Sequence, residues 1–297
     1  MSRLAAALAA MLLALSGCSE NREAPPPETA EAITVTDDEG VETTLEEPPD
    51  RIVTFAPSHT EIVFALGLGD RVVGVSGPFD DFPPEAQEVE QVAGAAGVEP
   101  NSEQVVALEA DVVLTGFIGG EWKPSLRDLG VPVFTTLAES LEDAIGDIET
   151  IGELLGVEDR AAQLADGMRA EADGIEERLA GVEPVSCFLD LGDLFTVGPG
   201  SVEYDLLERA GCDPITSSGD SPYPQWSIEQ VVADDPDVYL VSEGIPVEQV
   251  REQEGIRDLT AVREGRLHQV DPDLISRPGP RMVAGLDGLA AALLVEA

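Results

Sequence analysis

Hydrophobic and polar positions follow one another along this chain in a pattern that predicts strands and helices in turn. Short apolar runs predict buried strands, and the segments between them have the three-to-four-residue apolar spacing of amphipathic helices. In the first half, strands are expected at 51–58, 71–76, 111–116 and 131–136, and helices at 59–69, from 102 onward and at 125–130. In the second half, strands are expected at 185–192, 194–198 and 267–270, and helices before 211 and at 280–297. This alternation predicts an α/β fold with parallel sheets and right-handed crossovers.

A long helical segment separates the two halves. Residues 140–180 have the apolar spacing of a helix throughout. This segment is too long to be a crossover between neighbouring strands. We therefore expect a helical spine at 139–182 that joins an N-terminal lobe at 49–138 to a C-terminal lobe at 183–297.

A sequence repeat supports the two-lobe plan. Residues 103–114 read EQVVALEADVVL and residues 229–240 read EQVVADDPDVYL, so the two copies are 126 positions apart (229 minus 103). Solenoid repeats recur every 20–50 residues or so, so a spacing this long indicates two similar lobes instead. Two facing lobes form a cleft, where small molecules bind. Chance similarity of two helix–strand units is the alternative.

The N-terminal segment predicts export and anchoring. Arg3 precedes an apolar run at 4–15, which has the length of a signal segment and is shorter than a spanning helix. The following Leu-Ser-Gly-Cys looks like the lipobox of bacterial lipoproteins. Residues 1–18 are then a signal peptide with its lipobox, and Cys18 is the lipidated first mature residue; an ordinary secretory signal is the alternative. The Pro- and Glu-rich residues 19–48 predict a disordered tether to an extracytoplasmic, membrane-anchored protein.

The charge of the chain is extremely negative. The sequence has 59 acidic and 16 basic residues, which gives a formal net charge of −43. A surface this acidic repels nucleic acid, so no nucleic-acid partner is expected. Adaptation to a saline habitat explains this charge better than a cation-buffering role does, because salt screens the repulsion between carboxylates.

The sequence has few cysteine and histidine residues, which limits the metal sites and the catalytic sites that it can form. Once Cys18 is lipidated, Cys187 and Cys212 remain, and outside the cytoplasm they either pair or stay free. The two histidines, His59 and His268, do not supply the several ligands of a zinc or manganese site, so no metal is expected. A Gly-rich phosphate loop and a GxSxG elbow are both absent from the sequence, so an enzyme is not expected.

Four segments resemble a known family. They are RIVTFAPSHTEIVFALGLGDRVVGVS, DFPPEAQEVEQVAG, EQVVALEADVVL and RPGPR, and the resemblance covers nearly all of residues 50–297. The chain resembles the substrate-binding proteins of bacterial ABC importers, in the branch with a helical spine that carries vitamin B12, iron siderophores and haem. Within that branch it is most similar to the cobalamin-binding receptors. The resemblance implies two Rossmann-like lobes joined by the spine, with the ligand in the cleft between them.

The resemblance also implies the partners of the protein. A monomeric receptor captures a corrinoid or siderophore, uses no cofactor, and delivers the ligand to a permease and its ATPase. In the cobalamin receptors one glutamate on each lobe contacts permease arginines, and the matching positions are Glu103 and Glu229. A carboxylate in the first turn of a helix is also common for stability alone.

Aromatic side chains line the cleft of cobalamin receptors, and this chain departs from that pattern. The resemblance implies ligand contacts at Phe117 and Tyr223, each with core packing as its alternative. The aromatic side chain is missing at one position, where Ala95 or Ala96 stands. Two nearby tryptophans, Trp226 and Trp122, are expected to compensate for it.

The remaining cleft candidates are polar or lie in irregular segments. Ser58 and His59 follow the first strand, where α/β sheets bind ligands, although Ser58 also suits a helix N-cap. His59 is expected to bond a ligand edge or to titrate near neutrality. Phe79 and Asp80 lie in the irregular stretch after the second strand.

Two arginines near the C-terminus keep a second ligand class open. In siderophore and haem receptors, arginines bind anionic groups of the ligand, and the resemblance implies this role for Arg277 and Arg281. The alternative is that both arginines pair with acidic residues of this chain. The expected ligand is therefore cobalamin or a related corrinoid, with a ferric siderophore or haem as the alternative. A sensor or adhesin on the same fold, or a hydrolase using Ser58 and His59, are more distant alternatives.

Overall fold

Two parallel β-sheets with flanking helices form the part of the chain that the computed structural model describes, which is residues 32–77, 82–93, 100–116 and 120–294. From Ala32 onward the chain is one compact unit. The two sheets belong to two lobes, and a pair of long helices lies between them in the sequence. The predicted α/β class is confirmed.

The first lobe contains an antiparallel hairpin and a parallel sheet. Its strands are β1 (Ile33–Thr36), β2 (Glu42–Leu45), β3 (Ile52–Thr54), β4 (Val72–Ser76), β5 (Gln91–Ala93), β6 (Val112–Thr115) and β7 (Val133–Thr135). Its helices are α1 (Pro57–Ala65), α2 (Ser102–Ala107) and α3 (Trp122–Asp128). Strands β3 to β7 pair in the order β5-β4-β3-β6-β7. Helix α1 begins two residues earlier than predicted because Pro57 suits the first helical turn.

The spine and the second lobe follow. The spine helices are α4 (Leu141–Leu154) and α5 (Glu158–Leu179). The strands of the second lobe are β8 (Val185–Asp190), β9 (Cys212–Pro214), β10 (Val238–Ser242) and β11 (Leu267–Val270). Its helices are α6 (Val202–Arg209), α7 (Ile228–Asp234), α8 (Val247–Glu252), α9 (Thr260–Arg263), α10 (Pro272–Ile275) and α11 (Met282–Leu293). The order β9-β8-β10-β11 matches β4-β3-β6-β7 of the first lobe.

The sequence repeat corresponds to the same structural unit in both lobes, α2–β6 and α7–β10. Glu109 and Asp235 occupy equivalent positions after the two helices, and both adopt left-handed φ angles, 50° and 41°. Asp111 accepts a hydrogen bond from the Arg51 amide at 2.8 Å, and Asp237 accepts one from the Ser186 amide at 3.2 Å. Each aspartate thus connects the start of its strand to the start of the neighbouring strand in the sheet.

The spine joins the lobes through one continuous hydrophobic core. Ile52 of the first sheet, Leu240 of the second and Ile148 and Ala165 of the spine all belong to this core. The outer face of each sheet has a smaller core of its own. Close packing of this kind resists deformation, so it holds both sheets firmly on the spine. Among the described helices, none has both the length and the apolarity needed to cross a bilayer.

The β1–β2 hairpin corrects part of the predicted tether. Its turn contacts the single lysine of the chain: Lys123 Nζ lies 2.9 Å from Glu39 Oε1 and 3.0 Å from Thr135 Oγ1, and the lysine is 1% exposed. Asp38 accepts a hydrogen bond from the Leu137 amide at 2.6 Å. The prediction of disorder for 19–48 is therefore wrong for residues 33–45, because an ion pair and strand pairing order a segment whose composition is polar. Cys18 lies outside the described residues.

Two further expectations are resolved in the second lobe. Cys187 and Cys212 form a disulfide with their Cα atoms 5.8 Å apart, which decides the pairing that the sequence left open. The predicted strand at 194–198 is wrong, since only isolated bridges form there. Asp190 Oδ1 accepts hydrogen bonds from the amides of Gly192 and Leu194, at 2.8 and 3.1 Å, and this turns the chain.

Candidate functional site

A cavity of about 490 Å³ lies where the two lobes face each other. It adjoins the carboxyl ends of the first-lobe strands, the usual place for ligands in α/β folds. Its lining from the first lobe is Ala56, Pro57, Ser58, His59, Gly116, Thr136, Leu137, Ala138 and Glu139, and from the second lobe Gly200, Val202, Pro222, Tyr223, Ser276, Arg277 and Pro278. Backbone turns and small residues thus leave room for a ligand, and several residues with hydroxyl groups line this cavity.

His59 is a neutral hydrogen-bonding group on the first-lobe wall. Its Nε2 lies 3.0 Å from Thr136 Oγ1, and its Nδ1 lies 3.4 Å from Ser58 Oγ. Burial lowers the pKa of His59 to about 4, so the expectation that it titrates near neutrality is wrong. Gly116 gives the ring its space, because a Cβ there would lie 3.3 Å from His59 Cε1.

A buried carboxyl group of the spine lies near this part of the cleft wall. It belongs to Asp147 of α4, which is close to Thr136. Burial, followed by the negative charge of Asp38, raises the pKa of Asp147 to about 7. The cleft wall therefore adjoins a buried acidic group of the spine, which nothing in the spacing of the sequence indicated.

Tyr223 forms the second-lobe wall together with residues that the sequence did not predict. Its ring is 44% exposed and stacks at 15° to Phe195, with 6.4 Å between ring centroids. Its hydroxyl donates to Oε2 of the buried Glu203 at 3.1 Å. Burial raises the pKa of Glu203. Phe195 was missed because the segment around it looked like a buried strand, and Glu203 because it looked like an ordinary first-turn acid.

Trp226 does not line the described part of the cleft, so its predicted role as a ligand contact is wrong. The ring is buried in the outer core of the second lobe with Val231 and Tyr239. Its backbone amide donates to the Leu194 carbonyl at 2.9 Å, which directs the side chain inward. Trp122 is buried likewise, in the outer core of the first lobe. The predicted positions Phe79, Asp80, Ala95, Ala96 and Phe117 lie outside the described residues.

The two C-terminal arginines bind an acidic residue of the opposite lobe. Arg281 contacts Glu61 of α1 through two hydrogen bonds, at 2.9 and 2.6 Å, and Arg277 Nη1 lies 3.7 Å from Glu61 Oε1. Arg277 also pairs with Asp273 at 2.5 Å. We call Glu61, Arg277 and Arg281 the clasp. Arg281 therefore forms the structural pair that the sequence offered as its alternative role, and only Arg277 lines the cleft.

A second cavity, of about 650 Å³, lies outside the cleft beside the clasp. It is bordered by Phe64, Phe82 and Arg281, among other residues. It adjoins the side of α1 and not the ends of the sheets. The cleft cavity is therefore the stronger candidate for the principal ligand.

Glu103 and Glu229 lie at equivalent exposed positions on the two lobes. Each is in the first turn of its helix, behind an N-cap at Asn101 or Ser227. One turn further on, each helix exposes a valine that is 37% exposed at 106 and 45% exposed at 232. Each lobe thus presents a carboxylate beside an apolar side chain at the outer surface.

The chain matches known proteins over most of its length. Residues 52–274 match the family described as periplasmic binding protein. An ABC transporter substrate-binding lipoprotein of Bacillus subtilis is 30% identical over 99% of this chain and 98% of its own. The periplasmic vitamin B12-binding protein of Vibrio cholerae has a crystal structure with a TM-score of 0.73, 27% identity and coverage of 83% of this chain and 97% of its own. The periplasmic haem-binding protein of Roseiflexus sp. RS-1 gives a TM-score of 0.73 at 25% identity, covering 82% and 97%.

Proposed function

We propose that this chain, which belongs to the periplasmic binding protein family, captures cobalamin or a related corrinoid and delivers it to the permease of an ABC importer. Members of the family are the substrate-binding proteins of ABC transporters, so the chain is a binding protein and not an enzyme. They act on the outer side of the cytoplasmic membrane. The identity of the ligand is the part that we propose.

The described lining of the cleft has no excess positive charge, and this observation carries the proposal. Arg277 is the one cation among the described lining residues, and Glu61 and Asp273 already neutralise it. Its other polar groups are the exposed carboxylate of Glu139, the neutral imidazole of His59, and the hydroxyls of Ser58, Thr136, Tyr223 and Ser276. A corrinoid has an apolar ring with amide groups at its edge, and neutral donors and acceptors suit amides. An anionic ligand would have to compete with two carboxylates for Arg277.

The alternative ligands are haem and ferric siderophores. One structural relative binds haem, and Arg277 at the cleft edge would be the contact for an anionic group. At low ionic strength the overall charge of −43 opposes this alternative, because it repels propionates and other anions at a distance, and molar salt screens this repulsion.

Docking to the permease is the second part of the proposal. Glu103 and Glu229 lie on the duplicated units, one on each lobe, and both are exposed. Arginine and carboxylate form bidentate, orienting contacts, so two such contacts would fix the receptor on its partner. We further propose that an ATPase drives the importer and that the receptor is monomeric.

A lipid anchor completes the proposed arrangement. Cys18 would carry the lipid, and a relative named as a lipoprotein supports this. A Cys18→Ser variant should appear in the medium or in the soluble extracytoplasmic fraction, whereas the unaltered chain should stay with membranes. Equal membrane retention of both would refute the anchor at Cys18.

Isothermal titration of residues 28–297, which contain the compact unit, tests the ligand. Cyanocobalamin, haemin and a ferric hydroxamate siderophore should be titrated in low and in molar salt. We expect one-to-one binding of cyanocobalamin at micromolar affinity or better, which is about 8 kcal/mol. Binding of haemin or the siderophore alone would replace the corrinoid by the alternative class and leave the importer function standing.

A further inference from the structure

We propose that the second cavity, beside the clasp, is a binding site for a small organic cation with an apolar body, such as an aromatic quaternary ammonium compound. The described linings of this cavity and of the cleft cavity have no residue in common. The site is therefore separate from the proposed function, and it does not depend on which ligand the cleft binds.

Both lobes contribute to this cavity, which has a volume of about 650 Å³. The first lobe contributes one side of α1, the turn that follows α1, and the proline-containing segment 82–85. The second lobe contributes Pro280 and Arg281. A cavity of this size accommodates a small molecule.

Rigid apolar groups make up much of the described lining. Phe82 is 45% exposed, and Phe64 of α1 also borders the cavity. The ring of Phe64 is close to the backbone of Gly69, where a Cβ would lie 2.6 Å from Phe64 Cδ1. Three prolines, whose rings fix the φ angle, complete the apolar part: Pro83, Pro84 and Pro280. A prearranged apolar surface loses little conformational freedom on binding, so it favours a ligand with an apolar body.

A cation of the chain itself already contacts an aromatic ring of this cavity. The guanidinium of Arg281 lies over the Phe82 ring, 4.2 Å from the ring centroid. Arg281 also donates two hydrogen bonds to Glu61, at 2.9 and 2.6 Å. Aromatic rings attract cations because their faces carry partial negative charge. The cavity therefore combines an aromatic ring and carboxylates, which are the two groups that bind an organic cation.

The charge of the described lining is negative. It has three acidic residues, Glu61, Asp70 and Glu85, and one basic residue, Arg281. Because Arg281 is bound to Glu61, the excess of two negative charges belongs to Asp70 and Glu85, which are exposed and form no ion pair among the described residues. Prolines have no N–H group, so the three prolines of the lining add hydrogen-bond acceptors and no donors. The lining thus attracts positive charge and offers little to an anion.

The same features favour an organic cation over a metal ion. Within the described ranges of the chain, no group of three or more carboxylate, imidazole or thiol side chains is arranged to hold a metal. Hard metal ions take oxygen ligands, which aromatic and proline rings do not supply. A quaternary ammonium group is attracted by carboxylates and places its methyl groups on aromatic faces.

Ligand-observed NMR titrations of the full chain test the site, with benzyltrimethylammonium as the probe. We expect one-to-one binding with a Kd of about 1 mM or below, and absence of binding would overturn the site. Benzyl alcohol has the ring without the charge, and tetramethylammonium has the charge without the ring, so each should bind about tenfold more weakly. Equal binding of benzyl alcohol would overturn the assignment of a cation, and equal binding of tetramethylammonium would overturn the role of the apolar lining.

Substitutions decide whether the probe binds in this cavity. Asp70→Asn and Glu85→Gln should each weaken binding about three- to fivefold, because a carboxylate near the cation is lost. Phe82→Leu, which keeps an apolar side chain without the ring, should weaken binding about two- to fivefold. Glu88→Gln is the matched control, since Glu88 is an exposed acid at the end of the helical turn Pro84–Glu88 and lies outside the described lining, and its affinity should stay unchanged.

The outcomes separate this site from general charge attraction and from the cleft. Equal losses in Glu88→Gln and in the lining variants would show attraction to the acidic surface as a whole and would overturn the site, as would unchanged affinity in every lining variant. Saturation of the cleft with cyanocobalamin should leave the binding of the probe intact, and displacement of the probe would overturn a separate site. If cyanocobalamin does not bind, only the proposed ligand of the cleft fails, because the variant titrations need no ligand in the cleft.

Discussion

The clasp should contribute measurably to the stability of the whole protein, and Glu61→Gln tests this. The Glu61 side chain is 1% exposed and neutralises two arginines from the other lobe. Removing one partner of a buried ion pair costs about 3–5 kcal/mol, because the remaining charge stays buried. Arg277 keeps Asp273 and Arg281 is 22% exposed, so we expect the lower end, about 3 kcal/mol.

This loss converts into a shift in melting temperature. For a chain of this size each kcal/mol lowers the melting temperature by about 2 °C, so Glu61→Gln should melt about 6 °C lower. Thermal unfolding followed by circular dichroism measures the shift. Glu85→Gln is the matched control, since it removes an exposed acid near the same cavity, and it should shift melting by about 1 °C or less.

Salt distinguishes the clasp from surface charge effects. Buried pairs are screened far less than exposed ones, so the difference between Glu61→Gln and the unaltered chain should persist in molar KCl. A shift below about 2 °C, or one that vanishes in molar salt, would show that the clasp does not hold the lobes together as reasoned.

Four other predictions follow from the same structure. Glu103→Ala and Glu229→Ala should each reduce uptake into vesicles carrying the importer while leaving the ligand affinity in titration unchanged; a large affinity loss would refute the docking role. Reducing the disulfide, whose cysteines are 25 positions apart, should cost about 3.5 kcal/mol of unfolding free energy in urea, and no change would contradict this. The pKa of His59 falls to about 4 in the folded protein, so the neutral imidazole contributes to the free energy of unfolding above the ordinary pKa of 6.5, and this contribution is lost as pH falls toward 4. His59→Gln should therefore remove up to about 3 kcal/mol of the loss of stability in acid. The pKa of Asp147 rises from 3.8 to about 7, so the contribution of this group to the free energy of unfolding is present at low pH and is lost as pH rises through 7. Asp147→Asn should therefore stabilise the protein at pH 8 and not at pH 4.

Features repeated or periodic in the sequence were predictable from it. The repeat gave the two-lobe plan, and the helical spacing gave the spine, although a left-handed turn at Gly156 divides the spine into two helices. Such features depend on local periodicity, and periodicity is what a single sequence displays.

Features that depend on partners distant in sequence were not predictable. Glu61 and Arg281 are 220 positions apart, so the clasp looked like a ligand site. The hairpin looked like a tether because Lys123, its buried partner, lies 84 positions from Glu39. Trp226 was expected at the cleft because aromatic composition indicates a surface or a core equally well, and only the fold decides which.

The single lysine has a practical consequence for anyone handling this protein. Since Lys123 is buried, amine-directed dyes, cross-linkers and immobilisation resins find no side-chain target on the folded surface. Modification of Lys123 requires the hairpin to detach, so the rate of labelling at this position reports local opening of that segment. Amine labelling of Lys123 is therefore a direct assay for the opening of the β1–β2 hairpin.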